Sequence, residues 1–211
     1  MAIALVHHRR SLIAEAIRLT RLIAVLRRIE PRDRLLDLVD DLVGDGVRIF
    51  EITLDSAGAA ADLAAVRVRV GAAGWVGAGT VRTDAQLRTA VDAGAAFGVS
   101  PVLDLEILGA ALSADLPFVP GAYSPTEVDA AWRGGAMFVK LFPASSLGPS
   151  HVRELRGPMP EIETIATGGV DGTNATAFLV AGATALGIGS ALHRMTPSER
   201  RELVELCAAA R

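Results

Sequence analysis

One lysine, Lys140, stands among the 21 basic residues of this chain, and it lies in the apolar run Met137-Phe138-Val139-Lys140-Leu141-Phe142-Pro143. Arginine carries the same charge, so a chain that writes arginine at every other cationic site keeps lysine where a guanidinium fails. What a guanidinium cannot do near neutral pH is give up a proton and attack a carbonyl as a free amine. If the run is a strand, alternation sets Lys140 on one face with Phe138 and Phe142, where desolvation works against the ammonium form. That is how a Schiff-base lysine is made. The alternative is a compositional bias that left one lysine by chance, but a chance survivor belongs on a solvated face.

Glu51, in Arg48-Ile49-Phe50-Glu51-Ile52-Thr53, falls on the same side of its run as Val47, Ile49 and Thr53. A carboxylate on an apolar face is costly unless paired. It therefore either bridges a cation, with Arg27 of the neighbouring strand as the structural partner, or transfers protons. A lysine nucleophile needs such an acid/base group to make and break its carbinolamine. Two glycine pairs, Gly168-Gly169 and Gly187-Ile188-Gly189 before Ser190, suit a different task. Backbone N–H groups approach a phosphate closely where no Cβ intervenes, and the N-terminus of a following helix adds a favourable dipole. Either pair alone is often only a tight turn; both together point to a phosphorylated ligand. His7, His8, His151 and His193 show no metal-ligand spacing and read as surface or packing residues, which disfavours a metal-dependent aldolase. Cys207, the only cysteine, excludes disulfide frameworks and cysteine zinc sites and reads as inert packing.

These residues need a frame that gathers them. Eight β-type runs recur with helical stretches between: Leu22 to Arg27, Val47 to Thr53, Trp75 to Val81, Phe97 to Pro101, Phe118 to Tyr123, Met137 to Pro143, Ile162 to Gly169 and Ala185 to Ser190. That alternation predicts an α/β fold, a (β/α)8 TIM barrel in one domain over residues 1–211; a doubly wound open sheet is the other architecture it permits. Ser11 to Thr20 reads as an extra N-terminal helix closing the bottom of the barrel. Among the intervening helices, Asp33 to Val43 stops at Gly44, Thr83 and Asp84 open one ending at Gly94, Thr126 with Glu127 opens one ending at Gly134, and Pro197 sits in the first turn of the last. In such a barrel the chemistry sits at the carboxyl ends of the strands. Those ends carry Arg27, Glu51 and Thr53, Gly77-Ala78-Gly79-Thr80, Ser100-Pro101, Lys140, Thr167-Gly168-Gly169, and Gly189-Ser190.

The 211 residues suit one core of this kind. Mean hydropathy is +0.38, yet charges or prolines interrupt each stretch before about 18 apolar residues accumulate, so no membrane span is expected. The start, Met1 to Val6 followed by His7-His8-Arg9-Arg10, has the wrong order and length for a signal peptide, and a cytoplasmic location is expected. A net charge of −3 with 4% aromatics leaves no electrostatic footprint for nucleic acid.

Seven blocks occur in order: Glu51-Ile52-Thr53-Leu54, Gly77-Ala78-Gly79-Thr80-Val81, Val99-Ser100-Pro101, Pro120-Gly121 with Ser124-Pro125-Thr126-Glu127, Val139-Lys140-Leu141-Phe142-Pro143-Ala144, Ala166-Thr167-Gly168-Gly169-Val170, and Gly187-Ile188-Gly189-Ser190-Ala191. Together they resemble the 2-keto-3-deoxy-6-phosphogluconate (KDPG)/KHG aldolase family, from about Leu22 to the last helix. The resemblance implies a class I aldolase without a cofactor, normally a homotrimer, whose small-molecule partner is a phosphorylated keto acid. It would cleave KDPG to pyruvate and glyceraldehyde 3-phosphate, with 4-hydroxy-2-oxoglutarate as a further substrate. It assigns the Schiff base to Lys140 and proton movement through a bound water to Glu51. Thr80 and an arginine would hold the pyruvate carboxylate, Pro101 and Phe142 would pack beside the pyruvyl carbon, and Gly168, Gly169, Gly189 and Ser190 would hold the phosphate.

The chain departs from the family at one point. Many members read Glu-x-Thr-Leu-Arg-Thr after strand two, where the arginine binds the carboxylate; here Asp55-Ser56 follows Leu54. Other members carry an arginine in a motif like Val25-Leu26-Arg27, so the role passes to Arg27. Leu54-Asp55-Ser56 and the run Phe142 to Pro149 also resemble the sister enzyme acting on the galactonate epimer (KDPGal), whereas Thr167 before Gly168 resembles the gluconate enzymes. Two readings from other classes stay open. One is a sugar-phosphate isomerase or epimerase on a phosphate-binding barrel; the other is a silent binding protein, against which the intact Glu51 and Lys140 pair argues.

Overall fold

Among the described residues, nine short strands, all parallel, form one sheet. The computed structural model describes residues 2–210, with side chains from His8 onward; the side chains of Met1 to His7, and Arg211, lie outside the described residues. The strands are β1 (Leu22–Leu26), β2 (Ile49–Thr53), β3 (Trp75–Gly79), β4 (Gly98–Val99), β5 (Phe118–Val119), β6 (Gly121–Ala122), β7 (Val139–Leu141), β8 (Thr164–Thr167) and β9 (Ala185–Ile188), in the order β5-β4-β3-β2-β1-β9-β8-β7-β6. Strands β5 and β6 are the two halves of one run interrupted at Pro120, which has no N–H to give to a ladder. The first half pairs with β4 and the second with β7. The ring therefore closes through Pro120, and the fold is the (β/α)8 barrel, not the open sheet.

Nearly every strand residue is buried, because helices cover the outside of the ring and side chains fill its inside. Alternation divides the strand residues between two apolar clusters. Leu22, Ala24 and Leu26 of β1, Phe50 and Ile52 of β2, and Leu186 and Ile188 of β9 point outward to the helices. Ile23, Ile49, Phe97, Val119, Phe138, Ile165 and Ala185 point inward and form the lower core of the barrel.

Helix α1 (Ala2–Thr20) begins nine residues before the expected start at Ser11, and its second half plugs that core from below as expected: Ile13 and Ile17 are fully buried in the inner cluster, each contributing about 1.5–3 kcal/mol by leaving water. Its basic residues and Arg21 explain part of the preference for arginine. Arg10 donates to the carbonyls of Gly135 and Ala136 at 3.1 and 2.9 Å, Arg21 to those of Ala183 and Thr184 at 2.7 and 2.9 Å, and Arg18 forks onto Glu163 at 2.6 and 2.7 Å. A planar fork of donors can tie several loop carbonyls at once, and an ammonium group cannot match that geometry.

Helices α3 (Ala59–Val70), α5 (Leu105–Ser113) and α7 (Ala144–Arg156) are among those covering the ring, and the ends of three others correct expectations in detail. Helix α2 (Arg32–Gly44) includes Gly44 and is followed by left-handed Gly46. Helix α4 (Asp84–Asp92) starts under Thr83, whose hydroxyl accepts from the Gln86 N–H, but ends before Gly94. Helix α6 (Pro125–Arg133) is capped by Ser124, not Thr126: Ser124 and Glu127 form a reciprocal capping box, and Pro125 fits the first turn. Thr196 and Glu199 do the same for the last helix, α10 (Pro197–Ala209).

Candidate active site

Two residues above the lower core, the inward rows change from apolar to chemical. Ile49 is followed on its row by Glu51, and Phe138 by Lys140. Both are buried, Glu51 at 2% and Lys140 at 4% exposure. Lys140 Nζ stands 3.7 Å from Glu51 Oε1 and 5.5 Å from the centroid of the Phe142 ring. The separation from the carboxylate exceeds the 2.7–3.2 Å of a formed hydrogen bond, and Oε1 has no hydrogen-bond partner among the described residues. Buried carboxylate oxygens are normally saturated, so an unsatisfied one aimed at an amine is poised to exchange a proton.

Glycine makes the room. A Cβ at Gly79 would collide with the Glu51 carboxylate, one at Gly77 with the Phe97 ring, and one at Gly187 with Thr167. The glycines of β3 thus serve packing inside the barrel, while the rim proper begins at Thr80. Thr80 adopts φ +60°, a left-handed conformation that a β-branched residue takes at a cost of about 1–3 kcal/mol. Strain of this kind collects at functional sites, and here it accompanies a hydrogen bond at 3.2 Å from Arg27 Nη2 to Thr80 Oγ1.

The structure overturns the pairing of Glu51 with Arg27. Val25 is the register partner of Glu51, so Arg27 lies level with Thr53, one inward step nearer the rim. Its ion-pair partner is Asp55: Arg27 Nη1 donates to Asp55 Oδ2, which also receives Arg28 Nε at 3.2 Å, while the buried Thr53 hydroxyl donates to Oδ1 at 2.7 Å. Burial of Asp55 opposes its ionisation, but the Thr53 hydrogen bond and the charges of Arg27 and Arg28 outweigh it and hold the carboxyl below the usual carboxylate range.

Across the mouth, Gly168 and Gly169 have φ of +92° and +74°. A Cβ on Gly168 would press on Phe142, and one on Gly169 would overlap Ser145. The expected helix N-terminus is absent directly after this pair. Hydrogen bonds joining Asp171 to Thr173 and Asn174, and Asn174 to the Gly169 carbonyl, hold a turn instead, and α8 (Ala175–Ala181) starts beyond it. After Gly189 the expectation holds, with α9 (Ser190–Arg194) beginning at once.

A cavity of about 220 Å³ joins these parts. Arg27, Lys140, Phe142, Thr167, Gly168, Gly169, Gly189 and Ser190 line it, which accounts for eight of the eleven residues singled out in the sequence. Glu51 reaches it through Lys140, and Thr80 through Arg27. Pro101 stands at the end of β4 with its backbone against Gly121, where a Cβ would not fit. A larger cavity of about 430 Å³, between Asp171, Ala191, Arg194 and α10, contains neither Lys140 nor Glu51 and adjoins the site from outside.

Sequence reasoning missed two contributors. Asp55 entered only as a missing arginine, although its spacing of two from the inward Thr53 places it at the rim. Arg194 lines the same cavity one helical turn after Ser190, a spacing that sets both on one face of α9. Of the histidines, His8 is exposed, and the half-buried His151 and His193 each have an Nε2 without a hydrogen-bond partner among the described residues. Burial and the nearby Arg34 and Arg194 lower the basicity of His193. The buried Cys207 thiol is pushed up to about 11, chiefly by desolvation.

A (β/α)8 barrel with a buried lysine and carboxylate at its C-terminal mouth is the class that fold and site define. Residues 13–207 match the family described as KDPG and KHG aldolase, and the chain belongs to that family. It is 34% identical over 174 residues, 82% of each chain, to a probable 2-dehydro-3-deoxy-6-phosphogalactonate aldolase of Rhizobium meliloti (strain 1021). It is 36% identical over 149 residues to the 2-dehydro-3-deoxy-phosphogluconate aldolase of Pseudomonas aeruginosa, covering 69% of this chain and 66% of that one. The crystal structure of KDPG aldolase from Legionella pneumophila with pyruvate captured as a covalent carbinolamine superposes with a TM-score of 0.79 at 26% identity, covering 93% of this chain and 97% of that one.

Proposed function

We propose that the protein is a class I aldolase that cleaves KDPG through a Schiff base on Lys140. The observation that carries the proposal is the buried Lys140 to Glu51 approach of 3.7 Å at the barrel mouth. The Lys140 amine adds to the C2 carbonyl of the keto acid to give a carbinolamine, which loses water to form a protonated imine. Glu51 then takes the proton of the C4 hydroxyl as the C3–C4 bond breaks, and the imine accepts the electron pair as an enamine. Glyceraldehyde 3-phosphate leaves, the enamine carbon regains a proton, and water releases pyruvate and the free lysine.

Arg27 and Thr80 hold the carboxylate of the pyruvyl half, with Phe142 and Pro101 beside its carbon. Gly168, Gly169, Gly189 and Ser190 hold the phosphate at the other side of the cavity, where the basic Arg194 also stands. The family resemblance supports a single-domain cytoplasmic homotrimer without a cofactor, and 4-hydroxy-2-oxoglutarate as a further substrate. No described helix is long and apolar enough to cross a membrane.

A second substrate, the galactonate epimer, is supported by the Rhizobium meliloti relative and by the resemblance of Leu54-Asp55-Ser56 and of Phe142 to Pro149 to the enzyme acting on that epimer. The two epimers differ in the direction of one hydroxyl, so a polar group near that carbon must read it. Thr167, buried and lining the cavity just before Gly168, is the candidate reader. Pyruvate release from each epimer, followed for wild type and Thr167→Val, decides between them. We expect wild type to prefer KDPG and Thr167→Val to narrow that preference. A wild-type preference for KDPGal reverses the assignment, and equal losses on both epimers remove Thr167 as the reader.

A further inference from the structure

Arg27 is half exposed at the end of β1, and a guanidinium on a flexible chain in solvent samples many positions unless something holds it. Here it is held from two sides. Nη1 donates to Asp55 Oδ2, and Nη2 donates to the hydroxyl of the left-handed Thr80. Asp55 is itself fixed: its carboxylate is only 13% exposed, and its other oxygen accepts from the Thr53 hydroxyl at 2.7 Å. Thr53 is anchored in β2 at 2% exposure. A chain of directed contacts thus runs from the barrel wall through Thr53 and Asp55 to the guanidinium that lines the cavity with Lys140. Two of the five N–H groups of Arg27 point into this bracket, which leaves three for a ligand.

We propose that Asp55 is a positioning residue: it locks Arg27 in the orientation that receives the carboxylate of the keto-acid substrate, and thereby sets the affinity for the pyruvyl half. The proposal rests on the aldolase reading above. The same Asp55 carries a negative charge near the incoming carboxylate, which works in the opposite direction. Two features make the orienting effect the larger one. Arg28 Nε also faces Asp55 at 3.2 Å, so the cluster of two guanidinium groups and one carboxylate keeps a net positive charge. The half-exposed setting of Arg27 screens the long-range repulsion, whereas a paired hydrogen bond to a carboxylate depends on angle and is lost when the fork turns.

The test is Asp55→Asn, which keeps the shape and an acceptor for Thr53 but removes the charge that holds Arg27. Pyruvate affinity is read from the concentration dependence of borohydride inactivation. We expect that constant to rise roughly 10-fold, near the low end of what a hydrogen bond to a charged group contributes. We also expect kcat for retro-aldol cleavage to change far less than KM, and the thermal transition to remain cooperative. In an Arg27→Met background the same substitution does not weaken binding further, because its orienting effect runs through Arg27 and only the relief of the Asp55 charge remains. Thr53→Val, which leaves the charge and removes the bond orienting it, shifts the constant in the same direction and serves if Asp55→Asn does not fold. An affinity unchanged or tightened in Asp55→Asn, or weakened equally with and without Arg27, overturns the proposal while wild type still traps pyruvate. Failure of wild type to trap pyruvate overturns the aldolase reading and this inference with it.

Discussion

Among the described residues two ion pairs have both partners buried, and they are built in opposite ways. Asp45, which follows α2 at the N-terminal end of β2, receives Arg200 Nε at 2.5 Å and Arg201 Nη1 at 2.9 Å, while Arg200 also donates to the Met195 carbonyl at 3.2 Å. Both oxygens of that carboxylate are engaged. In the middle of the same strand, Glu51 has one cation at 3.7 Å and an oxygen without a hydrogen-bond partner among the described residues. The first pair uses guanidinium, whose fixed fork suits permanent bonds; the second uses the only lysine, whose amine can lose its proton. A saturated buried pair holds elements together, and an unsaturated one keeps its groups free to react.

Breaking the saturated pair should cost stability and leave chemistry intact. Arg200→Met strands a buried carboxylate, for which removal of one partner costs 3–5 kcal/mol. With Arg201 still in reach we expect about 3 kcal/mol, or a fall of roughly 6–12 °C in Tm for a chain of this length, with kcat at 25 °C unchanged. Calorimetry and a pyruvate-release assay on one preparation check both halves. A parallel loss of activity below the transition would erase the distinction between the pairs.

Altering the unsaturated pair should do the reverse. Glu51→Gln keeps the shape and removes the base, so kcat is expected to fall by about 10²-fold, equivalent to ~2.7 kcal/mol in the barrier. Tm should fall less than in Arg200→Met, because Oε1 makes no hydrogen bond within the protein that the amide would lose. Pyruvate should still form its adduct, slowly. Near-normal turnover in this variant would return Glu51 to a structural role.

The sequence revealed most where a local rule decides the outcome. Alternation within the runs around Phe138 and Ile49 placed Lys140 and Glu51 on inward rows, and the glycine loops after β8 and β9 do border the cavity. It revealed least where an outcome depends on register between strands. One step along β1 decides that Arg27 meets Asp55 and not Glu51, and no feature of either run states the offset of Val25 to Glu51. The capping of α6 was obscured by competition, since Ser124 and Thr126 both satisfy the rule and only the position of Glu127 three residues after Ser124 resolves it. The role of Arg10 in α1 and of Arg21 just after it was hidden because both bond carbonyls more than 100 residues away.

On the proposed mechanism Lys140 is a nucleophile and not a structural cation. The most direct test is borohydride reduction in the presence of pyruvate, followed by peptide mass mapping of wild type and Lys140→Arg. We expect loss of wild-type activity with one pyruvyl-derived mass on the peptide containing Lys140, and a folded, inactive Lys140→Arg protein that takes up none. An active Lys140→Arg enzyme, or wild type that keeps its activity and shows no adduct on that peptide, would contradict it.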